Sequence, residues 1–162
     1  MSADTRSGLY FGVGKSGFNG GFEMNIETAR MVIRDFTMND INDMQDILGD
    51  AETMKNYCPI FDLSSNEFIG CCGLRPYKKN QYEMGFHLRP KYWGKGYATE
   101  AANAVIDYAF HHFHADGLFA GHNPKNVVSR KVLLKLGFVY IGDKFYAPTG
   151  LYHPSYDLKN LC

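Results

Sequence analysis

The chain has 162 residues, 45% apolar and 21% charged, with lysine plus arginine and aspartate plus glutamate at 17 each. That composition excludes a disordered, collagen-like or coiled-coil chain, and the length suits one domain around one core. Zero net charge gives no global field for nucleic acid or an anionic membrane, and no apolar run approaches the ~20 residues of a bilayer span.

Residues 1–23 hold six of the seventeen glycines and no hydrophobic period. They lack the charged start and apolar stretch of a signal peptide, so the expected compartment is the cytoplasm. Gly12-Val13-Gly14-Lys15-Ser16-Gly17 matches GxGxxG, but Leu9 stands where a phosphate loop needs glycine, and neither a buried strand nor a striped helix flanks it. This head reads as a mobile extension or an upstream start, with one domain over 24–162.

The alternating, β-branched run Arg30–Phe36 predicts a first strand. Thr37 with Asp40 makes a helix-start box, Ile41, Met44, Ile47 and Leu48 give an apolar stripe, and Gly49 ends the helix. Asp50 to Tyr57 suits one further short helix. Ile60–Leu63 and Glu67–Leu74 flank Ser64-Ser65-Asn66 as a hairpin, and Tyr82–Leu88 is a strand stopped by Arg89-Pro90. Gly96–Phe113 is the longest predicted helix, with Ala98, Ala101, Ala102, Val105, Ile106, Ala109, Phe110 and Phe113 as its buried stripe. Leu118–Gly121 is a short strand, Asn126–Leu136 a helix closed by Gly137, and Phe138–Phe145 with Leu151–Leu158 a last hairpin. The order predicts a mixed α+β sheet rather than a doubly wound one.

Charge is unevenly spread. Glu27 to Lys55 carries seven acids against three bases, and Arg75 to Lys135 ten bases against four acids. An anionic ligand on the second part explains this, as does ordinary solvated surface charge. Cys58, Cys71, Cys72 and Cys162 form no CxxC pair; adjacent strand cysteines point to opposite faces and cannot jointly hold a metal or share a cleft. His111, His112 and His114 crowd a helix end without an i, i+4 ligand pair, so no metal is expected. Tyr92 and Trp93 suit a cover for the adjoining turn better than a base-stacking platform.

The informative segment runs from Tyr82 to Ala101, where a strand stops, a glycine-rich turn follows and a long helix begins at once. Such a turn leaves the first helix amides pointing outward, an anion site that Gly94 and Gly96 open to a phosphate. Lys91 and Lys95 add charge. An ordinary helix start needing glycine for its turn is the bland alternative.

Lys91-x-x-Gly94-x-Gly96 with Tyr97-Ala98-Thr99-Glu100-Ala101 resembles the coenzyme A pyrophosphate loop of the GCN5-related N-acetyltransferases. Lysine stands where that family has glutamine or arginine. The wording from Tyr92 to Ala101 is most similar to the ribosomal-protein alanine acetyltransferases. Asn126-x-x-Ser129 with Lys135-Leu136-Gly137-Phe138 resembles the family's next motif, and Ile26–Arg34 its first strand. The resemblance implies a three-layer fold whose mostly antiparallel sheet is splayed between its fourth and fifth strands, Tyr82–Leu88 and Leu118–Gly121. It implies acetyl-CoA as cosubstrate: the loop Gly94, Lys95, Gly96, Tyr97, Ala98 and Thr99 on the pyrophosphate, His87 and Leu88 along the pantetheine arm, Asn126 opposite, and Lys131 for a nucleotide phosphate.

Amine attack on a thioester needs a base for the ammonium, a donor for the carbonyl and a proton for the thiolate. Glu83 is the candidate base, against the alternative of a salt-bridged strand glutamate. Many members place a tyrosine acid where Leu133 stands here, which leaves Ser129, against a serine bonded at a helix start. Tyr146 and His153 also suit the cleft. The expected second helix and a full strand, roughly twenty residues, are missing before Cys58, exposing apolar surface for the head or a second subunit to cover. The expected activity is acetyl transfer to a primary amine on a protein N-terminus or a small molecule. A coenzyme-binding module without transfer is the second reading, and a nucleotide-binding protein using the head glycines the third.

Overall fold

The computed structural model describes residues 24–49 and 57–161. Its strands are β1 (Asn25–Glu27), β2 (Met31–Arg34), β3 (Cys58–Asp62), β4 (Phe68–Lys78), β5 (Gln81–Leu88), β6 (Gly117–Gly121), β7 (Val139–Tyr146) and β8 (Leu151–Lys159). The α-helices among the described residues are α1 (Ile41–Leu48), α2 (Tyr97–His112) and α3 (Val127–Lys135). The strands form one sheet in the order β1-β2-β3-β4-β5-β6-β8-β7. Among the described strands only β5 and β6 pair in parallel, and the crossover between them is α2. The mixed, mostly antiparallel α+β architecture follows the sequence pattern.

Alternation along the central strands divides the core in two. Cys72, Leu74, Met84, Phe86, Leu118 and Ala120 face α2 and α3, where the alanines at 101, 102 and 109 let helix and sheet approach closely. On the other face Cys71, Phe61, Phe68 and Tyr57 pack with Phe36 and Met44 beneath α1. The three layers are therefore α1, sheet, and α2 with α3.

Local signals account for most boundaries. The Thr37–Asp40 box forms: the Asp40 carboxylate takes the Thr37 N–H at 2.7 Å and both forks of Arg34 at 2.9 Å. A 3-10 turn, Met38–Asp40, precedes α1, which Gly49 closes at φ 81°. Asn126 caps α3 by accepting the Ser129 N–H at 3.1 Å, and Gly137 ends it at φ 92°.

Two expectations need correction. The run Arg30–Phe36 is a strand only over Met31–Arg34, because Thr28 N–H bonds the Met31 carbonyl at 2.9 Å and turns the chain back onto β1. No strand position is vacant before Cys58 either: β3 lies directly beside β2, with Ile60 opposite Ile33. The expected short helix over Asp50 to Tyr57 and the missing second helix fall on 50–56, outside the described residues. So do the glycine-rich head and its GxGxxG. No described helix is long and apolar enough to cross a membrane.

Candidate active site

The sheet opens at one place. The parallel ladder joins Gln81, Tyr82 and Glu83 to Gly117, Leu118 and Phe119 and then stops, although β5 continues to Leu88 and β6 to Gly121. Beyond the vertex at Glu83 and Phe119, β5 presents an edge with no β6 ladder, the kind of edge an extended ligand can pair with. His87 and Leu88 lie on it, and the Leu88 carbonyl accepts the exposed Trp93 indole N–H at 2.9 Å. Trp93 thus ties back to the end of β5 and not, as expected, over the glycine turn.

The glycine turn follows at the end of that edge. Gly94 and Gly96 sit at φ 71° and 80°, left-handed values that favour glycine. Gly96 is the N-cap of α2 and no side chain caps it, so the first amides of the helix are left for an outside acceptor. A Cβ at Gly94 would meet nothing within 4 Å, so the loop is open on that side. Lys95 is exposed beside it. Lys91 is not part of this charge: its ammonium is 2.7 Å from Glu67. Tyr92 is buried edge-on against Tyr97, with ring centroids 5.2 Å apart.

The face beneath α1 carries the reactive side chains. Glu83 lies at the vertex, and Arg75 across the β4–β5 ladder donates to its Oε2 at 2.6 Å. The salt-bridge alternative is therefore realised. Two residues further along β5, the Tyr57 hydroxyl covers Gly85, 3.0 Å from where a Cβ would stand. Burial, then the nearby Cys71 and Glu83, raise the Tyr57 hydroxyl well above its usual pKa. His87 meets Tyr57 edge-on at 5.5 Å. Its Nε2 is buried with no hydrogen-bond partner among the described residues, and burial pushes its pKa down to about 4.

Across the vertex, Phe119 stacks on Tyr77 at 4.3 Å, and Lys144 donates to the Tyr77 hydroxyl at 2.8 Å. Tyr146 packs on His153 at 4.7 Å, and the His153 Nε2 is 2.8 Å from Thr149 Oγ1. These residues of the last hairpin join the same face because Lys144 is opposite His153 in the β7–β8 ladder.

The remaining candidates lie at the start of the helix after β6. Ser129 is buried in the first turn of α3 and Lys131 is exposed. The Asn126 side-chain oxygen is committed to the Ser129 amide. Leu133, at the tyrosine position, is fully buried in the core. Cys71 and Cys72 do face opposite ways, and burial raises both thiols well above their usual range. No cluster of three or more potential metal ligands occurs among the described residues.

No local pattern points to Arg75, Tyr57 or the Thr28–Arg30–Glu100 cluster beside the glycine turn. Arg30 and Glu100 are 70 residues apart, and Arg75 and Glu83, only eight apart, are paired by the β4–β5 register.

Residues 57–139 match the family model described as acetyltransferase (GNAT) domain. The chain is 33% identical over 116 residues to the uncharacterized N-acetyltransferase p20 of Bacillus licheniformis, covering 68% of this chain and 65% of that protein. It is 38% identical over 82 residues to the uncharacterized protein YkkB of Bacillus subtilis, covering 49% and 48%. The matched stretches thus span about half to two thirds of these relatives' own lengths. Among solved structures, the acetyltransferase (GNAT family) from Bacillus anthracis superposes with a TM-score of 0.72 at 25% identity, covering 84% of this chain and 98% of that one.

Proposed function

Because the chain belongs to the acetyltransferase (GNAT) family, we propose that it moves an acetyl group from acetyl-CoA directly to a primary amine, and that it does so in the cytoplasm. The observation that carries this reading is the parting of β5 and β6 after Glu83 and Phe119. It leaves an extended edge that runs from a helix N-terminus with no side-chain cap at one end to a largely buried, ion-paired carboxylate at the other.

The residues present fit the coenzyme. The amides from Gly94 to Thr99 suit a diphosphate, the edge at His87 and Leu88 suits an amide-bearing arm, and Asn126 and Lys131 flank it from α3. Asn126 has its oxygen in the helix cap, which leaves the amide nitrogen to donate to an arm carbonyl. When bound, the thioester supplies an acetyl group on a good leaving group. Glu83 would take the ammonium proton, directly or through a water, with Arg75 fixing the orientation of its carboxylate. A backbone N–H of the β5 edge would donate to the carbonyl oxygen, and Ser129 would supply a proton on the α3 side. The buried Cys71 and Cys72 take no part as nucleophiles, so transfer is direct.

The Tyr92–Ala101 wording favours a protein N-terminus as acceptor, with small amines as the other class. A coenzyme-binding module without transfer is favoured by one observation, the burial of Leu133 at the position of the usual acid. Thiol release from acetyl-CoA across an amine and peptide panel separates the two. The enzyme shows acceptor-dependent turnover; coenzyme binding with no turnover on any acceptor favours the module.

A further inference from the structure

Arg30 stands in the turn between β1 and β2, yet it meets the glycine loop and the first turn of α2 at four places. Its Nε donates to Glu100 Oε1 at 2.8 Å and its Nη1 to the Lys95 carbonyl at 3.1 Å. Its guanidinium lies 3.9 Å over the Tyr97 ring, and Nη2 is 3.5 Å from where a Cβ on Gly96 would stand. The Arg30 backbone N–H and the Thr28 hydroxyl complete the cluster, donating to Glu100 Oε2 at 3.1 and 2.5 Å.

Resting on the reading that a diphosphate binds at the α2 N-terminus, we infer that Arg30 is a positioning residue for that site. Glu100 lies in the first turn of α2, where a carboxylate competes with a bound anion for the same positive helix end. Arg30 neutralises that charge, and with the Thr28 hydroxyl it holds the carboxylate on the strand side. Burial alone would raise the Glu100 pKa, but the hydrogen bonds from Thr28 and Arg30 outweigh it and keep the group low. The bond to Lys95 engages a loop carbonyl, an acceptor that would repel phosphate oxygens if it faced them. Arginine is required because one planar fork must serve a carboxylate, a carbonyl and an aromatic face together. Lysine supplies the charge without the fork.

The test is calorimetric titration of the full chain with coenzyme A, for the wild type, Arg30→Met, Arg30→Lys and Arg30→Met/Glu100→Gln, with thermal melts alongside. Arg30→Met should weaken coenzyme A by at least about tenfold, as loss of charge-assisted bonds beside an anion site implies. Arg30→Lys should fall between the two. Adding Glu100→Gln should restore part of the affinity, because the unneutralised carboxylate is gone. Unchanged affinity in Arg30→Met overturns the inference, and so does a loss that Glu100→Gln leaves in full, since that marks a merely structural arginine. If Arg30→Met does not fold, Arg30→Lys decides: wild-type affinity there overturns the role of the fork. A wild type that binds no coenzyme A refutes the diphosphate reading itself.

Discussion

Arg75 and Glu83 face each other across the β4–β5 ladder, with Nε and Nη2 of the arginine 3.2 and 2.6 Å from one carboxylate oxygen. Their side chains retain only 10% and 12% of their exposure. The pair sits where β5 leaves β6, so it is both a structural tie and the anchor of the proposed base.

Breaking that pair should separate two effects. Arg75→Met takes the guanidinium away from a largely buried carboxylate and should cost about 3 kcal/mol, the low end for such pairs given the residual exposure. Glu83→Gln keeps the shape and should lower turnover by about 10²–10⁴-fold while leaving coenzyme A affinity nearly intact. Raising the pH should partly rescue it, since free amine then arrives without help. Denaturant midpoints check the first, and pH–rate profiles with a coenzyme titration check the second. Wild-type rates in Glu83→Gln would remove Glu83 from the mechanism.

Gly96→Val should abolish coenzyme A binding with the fold retained. Its φ of 80° is strained for any β-branched residue, and the loop must shift just where amides meet the diphosphate. Far-ultraviolet circular dichroism and titration with coenzyme A report the two halves of this expectation. Unchanged affinity would place the diphosphate elsewhere.

Gly85 makes room for the Tyr57 hydroxyl, so Gly85→Ala should displace that ring and destabilise the fold by about 1 kcal/mol. Tyr57→Phe removes the atom at 3.0 Å and should recover most of the loss in the double variant. Additive losses in the double-mutant cycle would show that the two do not meet.

His87 gives the site a pH dependence in stability. Burial holds its pKa near 4 in the folded chain, whereas the unfolded chain binds a proton from about 6.5. Between these values the unfolded state holds more protons, so stability falls as pH drops from about 6.5 towards 4. His122 is shifted the same way, chiefly by burial. Urea midpoints at pH 7, 5.5 and 4.5 should therefore fall steeply in the wild type and less steeply in His87→Leu. Equal slopes would mean that His87 is reached by solvent.

The sequence by itself determined the periodic and the contiguous. Turn residues and the Arg89-Pro90 stop placed β4, β5 and β8 to within a few residues, alanine spacing placed α2, and the junction from Tyr82 to Ala101 marked the loop, because each of these is encoded by neighbours in the chain. Even the opposite facing of Cys71 and Cys72 follows from a two-residue repeat. Only the tertiary structure decided what depends on distant partners. The parting of β5 from β6 at Glu83 and Phe119 is a property of two strands brought together by a crossover, and neither strand's sequence states where their ladder ends. Glu83 became a paired carboxylate because the β4 register sets Arg75 opposite it, and Arg30 became part of the glycine loop because the β1–β2 turn packs on the first turn of α2. Side-chain pairing of this kind is fixed by register and packing, which a local pattern does not contain.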